Sequence, residues 1–352
     1  MSNPRTKLTL ADIARLAGVG LGTASRALNN APGVAPATRR RVLEVAERYR
    51  YVVSPEASKL ASGSTGRVAI VVPHLSRWFF GSMVEALEGV FRDAGLDVLL
   101  YRVGDLVDRR NFFERLPARR KVDAVVVVGI PVEELERQRL ELLGVQIVAA
   151  GGQHEVYPHV CIDDLEAGRQ AVDHLISLGH RSIAMIEARD PSRRVQPSGR
   201  STAYYDALAV AGIPADERLV VSTDWGGEQG AEATARLLSI NHRPTALYAH
   251  SDEVALGAIR TVRRAGLRVP EDISVVGIDD HPLASLTDLT TIAQPVGEQG
   301  RAAAELTLAL LHGENTSGRL AVVLPTRLVV RHSTAPPVER RRAPGQFRAA
   351  EP

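Results

Sequence analysis

Aromatic, hydroxyl and acidic side chains follow several apolar runs of this chain, in positions where they could recognise a small molecule. Each run has the length and apolar content of a buried strand. Ligands of doubly wound α/β folds bind just beyond the carboxyl ends of such strands. The residues that follow the runs are therefore the candidates for ligand binding: His74, Phe79 and Phe80; Trp225; Ser251 and Asp252; Asp279 and Asp280.

Catalysis is the competing hypothesis for these residues. His74, His250 and His281 could act as acid–base groups, but the sequence gives none of them an evident partner. The chain has no phosphate-binding loop, no G-x-S-x-G elbow and no clustered His/Cys metal site. No histidine at ligand spacing accompanies the adjacent Asp279 and Asp280. We therefore predict no enzyme activity, no cofactor and no bound metal.

Some candidates also have a purely structural interpretation. Asp252 stands where it would cap a following helix, and Asp163 and Asp280 are placed similarly. Trp225 could pack between lobes without touching a ligand. The sequence leaves both interpretations open for these four residues.

The elements that position the candidates alternate between strands and helices from Arg67 onward. Apolar runs predict two series of strands: Val68–Val72, Val98–Tyr101, Ala124–Val128 and Gln146–Ala150, then Ile183–Ile186, Leu219–Ser222, Ala246–Ala249 and Ile273–Gly277. Amphipathic segments between them predict helices, among them about Phe80–Ala94 and Val132–Leu142. This βαβ rhythm predicts an α/β fold with two doubly wound parallel sheets.

A different pattern, three short helices, is predicted for the N-terminal segment. Thr9 and Asp12 have the spacing of a capping box at the start of the first helix. A tight turn at Gly18 separates it from a second helix, about Gly20–Leu28, and Pro36 favours the start of a third. The positions expected to face inward are Leu10, Ile13, Ala14 and Ala17; Ala24, Ala27 and Leu28; Val42, Val45, Ala46 and Tyr49. Three such helices with a glycine turn describe a helix-turn-helix.

The glycine-rich run Gly18-Val-Gly20-Leu-Gly22 also has a rival interpretation as a dinucleotide-binding loop. Such a loop follows a strand and continues with a further glycine. Here a helix precedes the run, and position 23 is Thr. We therefore reject the dinucleotide interpretation.

Charge is distributed unevenly between this module and the rest of the chain. Residues 1–65 contain ten Lys or Arg and four Asp or Glu, a formal charge of +6, against −4 for the remainder. A basic module on a mildly acidic body is expected where one end of a protein meets phosphate. The sequence Ser54-Pro55-Glu56 then predicts a helix start, and the helix can reach only Ser62 before Gly63. So short a helix is marginal alone, and we expect it to form only when something docks against it.

The stretch TLADIARLAGVGLGTASRALNNAPGVAPATRRRVLEVAERYRY resembles the headpiece of the LacI/GalR family of bacterial regulators, and the similarity extends to about Ala335. The resemblance implies a sequence-specific DNA-binding transcriptional regulator whose second helix enters the major groove of a double-stranded operator. It places Leu21, Gly22 and Arg26 at base-reading positions, Thr23, Ser25 and Asn29 near phosphates, and Leu60 at the minor-groove wedge. The chain departs from the family at Gly20, which replaces a serine cap, at Gly22, which offers no side chain to a base, and at Pro55, which stands two residues late.

For the rest of the chain, the resemblance implies a periplasmic-binding-protein-like effector domain that binds a small, sugar-like molecule. Arg200 and Asp279 match the polar residues of the family's sugar site, and Trp225 matches its stacking aromatic. With His74, Phe79 and Ser251 they form the predicted ligand site. Gly151-Gly152 replaces the usual Asp-Arg, and Arg77-Trp78 replaces the usual Asn-Pro, so the effector is left open. A nucleobase that acts as a co-repressor is the alternative, because Phe79 and Trp225 could stack on a base.

The resemblance also predicts the organisation of the chain. We expect a headpiece over 1–53, a hinge over 54–66, an effector and dimerisation domain over 67–335, and a disordered Pro/Arg/Ala-rich tail over 336–352. Lobe one should comprise about 67–162 and 293–325, and lobe two about 163–292 and 326–335. A free-standing periplasmic binding protein would instead need a signal peptide and would lack the headpiece.

The remaining expectations concern assembly and compartment. A tetramerising leucine heptad is absent, and one headpiece reaches only half of a two-fold symmetric operator, so a homodimer is expected. No apolar run approaches the length of a membrane span. The lone Cys161, which lies between apolar neighbours, predicts a buried strand residue and a reducing cytoplasm.

Overall fold

The computed structural model describes residues 8–51, 64–152, 156–189, 198–314 and 321–338. The hinge helix predicted over 54–62, with Leu60, lies outside these residues, as does the tail beyond 338. By its internal contacts the chain divides into two units, Met1–Arg67 with Ala118–Asp123, and Val68–Pro117 with Ala124–Pro352.

The first unit contains the three predicted N-terminal helices: α1 (Leu10–Leu16), α2 (Leu21–Leu28) and α3 (Pro36–Arg48). The capping box is confirmed, since Thr9 and Asp12 bond reciprocally at the start of α1. Burial of Ile13, Ala24 and Val42 makes the core that holds the helices together. The expectation for Tyr49 is wrong, because this residue is the C-cap of α3, where the chain leaves the helix, and it is 44% exposed.

The same unit includes the segment that leads into the first strand. The Asp123 carboxylate accepts hydrogen bonds from Ser64 Oγ (2.8 Å) and from the backbone amides of Thr65 and Gly66 (2.7 Å each). Burial would raise the pKa of Asp123, but these hydrogen bonds outweigh it, and the pKa is lowered. The carboxylate therefore stays ionised and fixes the start of the strand.

The second unit contains two six-stranded sheets, each flanked by helices. The first sheet has the order β11-β5-β4-β3-β1-β2: β1 Arg67–Val72, β2 Asp97–Arg102, β3 Ala124–Val128, β4 Gln146–Ala150, β5 His159–Ile162 and β11 Ala321–Leu324. The second has the order β12-β10-β9-β8-β6-β7: β6 Ile183–Ala188, β7 Val220–Thr223, β8 Ala246–Ala249, β9 Ser274–Asp279, β10 Thr290–Ala293 and β12 Arg327–Val329. Strand β12 pairs antiparallel with β10, whereas β9 and β10 are parallel.

Helices cover the two sheets, as the alternating pattern predicts. Lobe one, the first sheet with its helices, has α4 Trp78–Asp93, α5 Leu106–Arg115, α6 Glu134–Glu141 and α12 Val296–Leu311. Lobe two, the second sheet with its helices, has α7 Asp164–Ser177, α8 Gly199–Val210, α9 Gly227–Leu238, α10 Asp252–Arg264 and the short α11 Pro282–Leu286. The predicted fold of two doubly wound parallel-sheet lobes is thereby confirmed.

The chain passes between the two sheets after β5, after β10 and after β11. Each sheet has its own apolar core: Val68, Ile70 and Phe91 lie in lobe one, and Ile186 and Leu247 in lobe two. Two rigid lobes joined by such crossings can rotate relative to each other and close on a ligand. The exact residue ranges of the lobes stay a prediction.

Two further observations bear on the sequence-based expectations. Cys161 is buried in β5, as predicted, and burial raises the pKa of its thiol to about 11. Within the described ranges, no helix combines the length and the apolar character that crossing a bilayer requires.

Candidate ligand site and nucleic-acid interface

Close packing of α7 against α8 builds the polar centre of lobe two. A Cβ on Gly168 would lie 2.7 Å from Ala203 Cβ and 3.1 Å from Arg200 Cα, so only glycine allows this approach. Gly199 is similarly restricted, since its Cβ would lie 3.0 Å from Asp164 Cβ. The two helices can therefore bring Arg200 and Asp164, both near helix N-termini, into contact.

Arg200 is held by partners on two elements. Its Nε donates to Asp164 Oδ1 at 2.7 Å, and its Nη1 donates to the backbone carbonyl of His250 after β8. The side chain is only 11% exposed. Burial alone would lower the pKa of Arg200, but Asp164 and Asp279 raise it, so the guanidinium remains charged. A fixed cation in a partly closed site can donate hydrogen bonds to ligand oxygens.

Asp279 is the last residue of β9 and has a strained backbone, with φ at +134°. Its Oδ1 accepts a hydrogen bond of 2.6 Å from Gln294 Nε2, and Gln299 supports Gln294 in turn (3.0 Å). Burial raises the pKa of Asp279, and the charge of Arg200 opposes this rise. Backbone strain at a buried carboxyl group is typical of functional sites.

The capping interpretation of Asp252 is wrong. Ser251 is the N-cap of α10, and its hydroxyl accepts from the backbone amide of Val254. Asp252 is instead fully buried, and it accepts hydrogen bonds from Thr291 Oγ1 (2.6 Å) and the His281 amide (2.8 Å). It therefore ties α10 to β10 and to the start of α11.

The other two proposed caps have opposite outcomes. Asp163 does cap α7, since its carboxylate accepts from the amides of Leu165 and Glu166. Asp280 is not a cap, because its carboxylate pairs with Arg331 at 2.6 Å. The roles of Asp252 and Asp280 both depend on partners that are distant in the chain, and sequence position alone does not reveal such partners.

Lobe two also contains polar residues that the sequence did not single out. Glu187, near the end of β6, accepts hydrogen bonds from Ser201 Oγ (2.5 Å), Ser222 Oγ (2.7 Å) and Arg189 Nε (2.6 Å). Burial works to raise the pKa of Glu187, but these hydrogen bonds lower it overall. The one feature of the sequence that could have revealed this cluster is the glutamate inside an otherwise apolar strand.

Lobe one presents aromatic rings at the ends of its strands. Phe79 and Phe80 meet edge to face at 5.2 Å, and the ring of His74 lies 6.1 Å from that of Phe80. A Cβ on Gly151, after β4, would lie 2.7 Å from Phe79 Cζ, and Gly129 bears the same relation to Phe80. Glycine at position 151 thus makes room for the Phe79 ring beside the end of β4.

Trp225 packs partly buried against the apolar core of lobe two. The lobes meet at the start of α4, where the Trp78 amide donates to Glu253 Oε1 (3.3 Å) and the Trp78 ring lies 5.2 Å from that of His281. A cavity of about 560 Å³ adjoins this contact, between Trp78 and the crossing at Gln294. None of the six predicted ligand residues lines this cavity. Of those six, Arg200, Trp225, Ser251 and Asp279 belong to lobe two, while His74 and Phe79 belong to lobe one.

The predicted nucleic-acid interface is the outer face of α2. Ala24 and Ala27 are buried against the other helices, whereas Leu21 is 54% exposed. Arg26 is also exposed, and its Nε donates to the Gly22 carbonyl at 3.3 Å along the helix surface. The other proposed contacts lie on or beside this face: Gly22 and Asn29 are exposed, and Thr23 and Ser25 are half-buried.

One residue of this unit that the sequence did not single out is Arg39. Its guanidinium donates to the Ala27 carbonyl in the last turn of α2 (3.3 Å) and to the Ala31 carbonyl just beyond the helix (2.6 Å). Arg39 thus fixes the C-terminal end of α2 and does not occupy its outer face.

Both parts of the chain match known protein families. Residues 9–54 match the family described as bacterial regulatory proteins, lacI family, and residues 172–334 match the periplasmic binding protein-like domain. The transcriptional regulator DegA of Bacillus subtilis is 32% identical over 337 residues, which cover 94% of this chain and 99% of DegA. This chain belongs to the LacI family. It is a DNA-binding transcriptional regulator with an effector-binding domain, as the sequence predicts.

Solved structures of LacI-family members give the same result for the fold. The lac repressor dimer bound to operator and the anti-inducer ONPF matches with a TM-score of 0.82 at 26% identity, over 94% of this chain and 100% of that one. The regulator CelR in complex with cellobiose matches with a TM-score of 0.69 at 33% identity, over 93% and 99% of the two chains. The similarity therefore spans both the headpiece and the effector domain.

The relatives are transcriptional regulators. In the described part of the chain, no group of three or more His, Cys, Asp or Glu is arranged to hold a metal ion.

Proposed function

We propose that this LacI-family regulator is a homodimeric repressor that leaves its operator when a small sugar-like effector binds between its two lobes. The observation that carries the effector half is the cluster around Arg200: a charged donor fixed by Asp164, next to the buried Asp279. Donor and acceptor groups on one small site suit the hydroxyl groups of a sugar. Closure would bring His74 and Phe79 of lobe one toward this cluster, with Ser251 and Trp225 as further contacts.

For the DNA half, we propose that α2 lies in the major groove of a pseudo-palindromic operator. Leu21, Gly22 and Arg26 would face base edges, and Thr23, Ser25 and Asn29 would lie near phosphates. The exposed face of α2 and its fixation by Arg39 support this assignment. Arginine reads guanine through two hydrogen bonds to its edge, which makes Arg26 the main specific contact. Two headpieces in a dimer would reach both half-sites, and such a regulator would act in the cytoplasm without catalysing a reaction.

Gel-shift titration over genomic fragments tests the DNA half. We expect at least one fragment to bind roughly a thousandfold tighter than bulk DNA, as specific DNA-binding proteins do. If all fragments bind equally, the operator proposal is wrong.

A thermal-shift screen of sugars and nucleobases, followed by gel shifts with each hit, tests the effector half. A sugar that stabilises the protein and releases DNA supports repression with an inducer. A nucleobase that strengthens DNA binding would instead establish the co-repressor alternative. Arg200→Ala and Asp279→Ala should abolish the response to the hit and leave operator binding intact. If calorimetry gives wild-type effector affinity for both variants, the effector site lies elsewhere.

A further inference from the structure

His250 is a buried polar side chain in lobe two that the proposed function leaves unexplained. It lies between β8 and the N-cap of α10, and it is only 1% exposed. Its Nε2 has no hydrogen-bond partner among the residues that the structure describes. A buried nitrogen without a partner costs free energy, because folding removes it from water and gives nothing in return. Such a group is therefore a candidate for ligand recognition.

The surroundings of His250 keep its ring neutral. Burial, together with the adjacent Arg200 charge, lowers the pKa of His250 to about 3, although a hydrogen bond to the Ala188 carbonyl acts in the opposite direction. Arg200 is close because its Nη1 donates to the backbone carbonyl of His250 itself. Because none of the described residues bonds to Nε2, the ring nitrogen bonded to the Ala188 carbonyl is Nδ1, and in a neutral ring the nitrogen that donates carries the N–H. Nε2 then carries a lone pair and can only accept.

The charges around this nitrogen are already balanced. The cation of Arg200 is paired with Asp164 at 2.7 Å, and the cation of Arg189 is paired with Glu187. Both carboxylates also act electrostatically on His250. A phosphate or carboxylate group on a ligand would therefore lie near the carboxylates of Asp164 and Glu187 and near the Nε2 lone pair. The two arginines that could balance its charge are already paired with those carboxylates. A hydroxyl or an uncharged N–H group of a ligand could instead donate a hydrogen bond to Nε2, which has no donor within the ranges that the structure describes.

We propose that His250 Nε2 accepts a hydrogen bond from a hydroxyl or N–H group of an uncharged effector, and that His250 thereby determines specificity against phosphorylated ligands. The proposal rests on the proposed function, since it deepens the lobe-two effector site. It narrows the effector to neutral sugars and nucleosides with a donor at this point.

Titration calorimetry with matched pairs tests the ligand class in the full-length protein. The probes are glucose and glucose 6-phosphate, cellobiose and its phosphate, and adenosine and its 5′-monophosphate. We expect the neutral member of at least one pair to bind, and its phosphorylated partner to bind at least roughly tenfold more weakly. Preference for a phosphorylated member, or binding by no neutral member, overturns the proposal. Specific operator binding would survive either result, which separates this failure from failure of the DNA-binding function.

Three variants test the residue itself with the neutral probe that binds. His250→Gln can keep an acceptor, and we expect it to stay within a few-fold of wild-type affinity. His250→Phe removes the acceptor at similar ring volume and should lose about tenfold, the value of one hydrogen bond with a buried group left unpaired. The exposed His242→Gln is the control and should change nothing. Equal affinity of His250→Phe and wild type overturns the proposal.

Nitrogen NMR of the free protein gives a readout that needs no ligand and no variant. We expect the His250 ring to stay neutral between about pH 5 and 8, with Nε2 unprotonated. A ring that titrates near the ordinary histidine pKa, or that carries its proton on Nε2, removes the acceptor and overturns the proposal.

Discussion

Replacement of Gly168 by alanine tests whether the close approach of α7 and α8 builds the effector site. The added Cβ would lie 2.7 Å from Ala203 Cβ, 3.0 Å from the Tyr248 hydroxyl and 3.1 Å from Arg200 Cα. Two of these neighbours are a methyl group and a main-chain atom, neither of which can rotate away. The helices must therefore separate by several tenths of an ångström, and Arg200 must move with α8.

Two opposing contributions set the expected magnitude. Alanine is favoured over glycine inside a helix by about 1 kcal/mol. Overpacking of a well-packed contact costs about 1–3 kcal/mol. We expect overpacking to prevail, because the contacts at Gly168 are at or below the shortest that a Cβ ordinarily makes. Gly168→Ala should therefore lower the free energy of unfolding by up to about 2 kcal/mol.

The consequence for function follows from the displaced arginine. A shift of Arg200 stretches its 2.7 Å bond to Asp164, so effector affinity should fall by roughly tenfold or more. Urea denaturation measures the stability, and calorimetry with the bound effector measures the affinity. Gly89→Ala in α4 is the matched control, because its Cβ would meet only the flexible end of Arg92 at 3.8 Å. That control should stabilise slightly and leave affinity unchanged. If Gly168→Ala behaves like the control in both assays, the packing argument is wrong.

The remaining predictions concern DNA binding and pH. Arg26→Ala should cost about 1–3 kcal/mol of operator affinity and relax the preference at one base pair per half-site. Arg39→Ala should instead weaken binding to all DNA sequences equally, because it loosens α2. Gel shifts on operator variants distinguish the two results. Leu60→Ala should weaken operator binding by roughly tenfold or more and spare effector affinity without DNA, since a wedge acts only at the kinked base step; unchanged operator affinity would contradict this. The folded-state pKa of His250 is about 3, below the unfolded value of 6.5, so its contribution to stability is present above pH 6.5 and is lost as the pH falls. Between pH 7.5 and 5.5, wild type should lose about 1.4 kcal/mol relative to His250→Gln in urea denaturation. Comparison with this variant removes the opposite effect of Asp279. Parallel pH profiles would contradict the prediction, because they would show that the pKa of His250 is the same in the folded and unfolded states.

Local patterns determined the elements of this protein from sequence. Thr9 and Asp12 marked the start of α1, and Pro36 marked the start of α3, because caps and proline act within one helical turn. Strands β3, β4 and β8 were predicted to the residue, since each is a short apolar run with clear ends. The alternation of strands and helices then left few topologies other than two doubly wound sheets.

The strand ends also located the candidate site, within limits. Asp279 and Ser251 follow from the rule that ligands bind at the carboxyl ends of parallel strands. Arg200 did not follow from any local pattern and required the family resemblance. The hinge and its Leu60 lie outside the described residues, so their role stays a prediction.

Only the tertiary structure decided which partner each polar residue has. Ser251 and Asp252 are adjacent, and from sequence either could cap α10. Ser251 does so, because the Asp252 carboxylate accepts hydrogen bonds from Thr291 and His281 instead. Glu187 lies in an apolar strand and His250 directly follows one, and their partners Ser201, Ser222 and Arg200 come from other elements. The physical reason is the range of the interactions. Caps and hydrophobic periodicity act between near neighbours in the chain, whereas a buried hydrogen bond or charge depends on which distant segments the fold brings within about 3 Å.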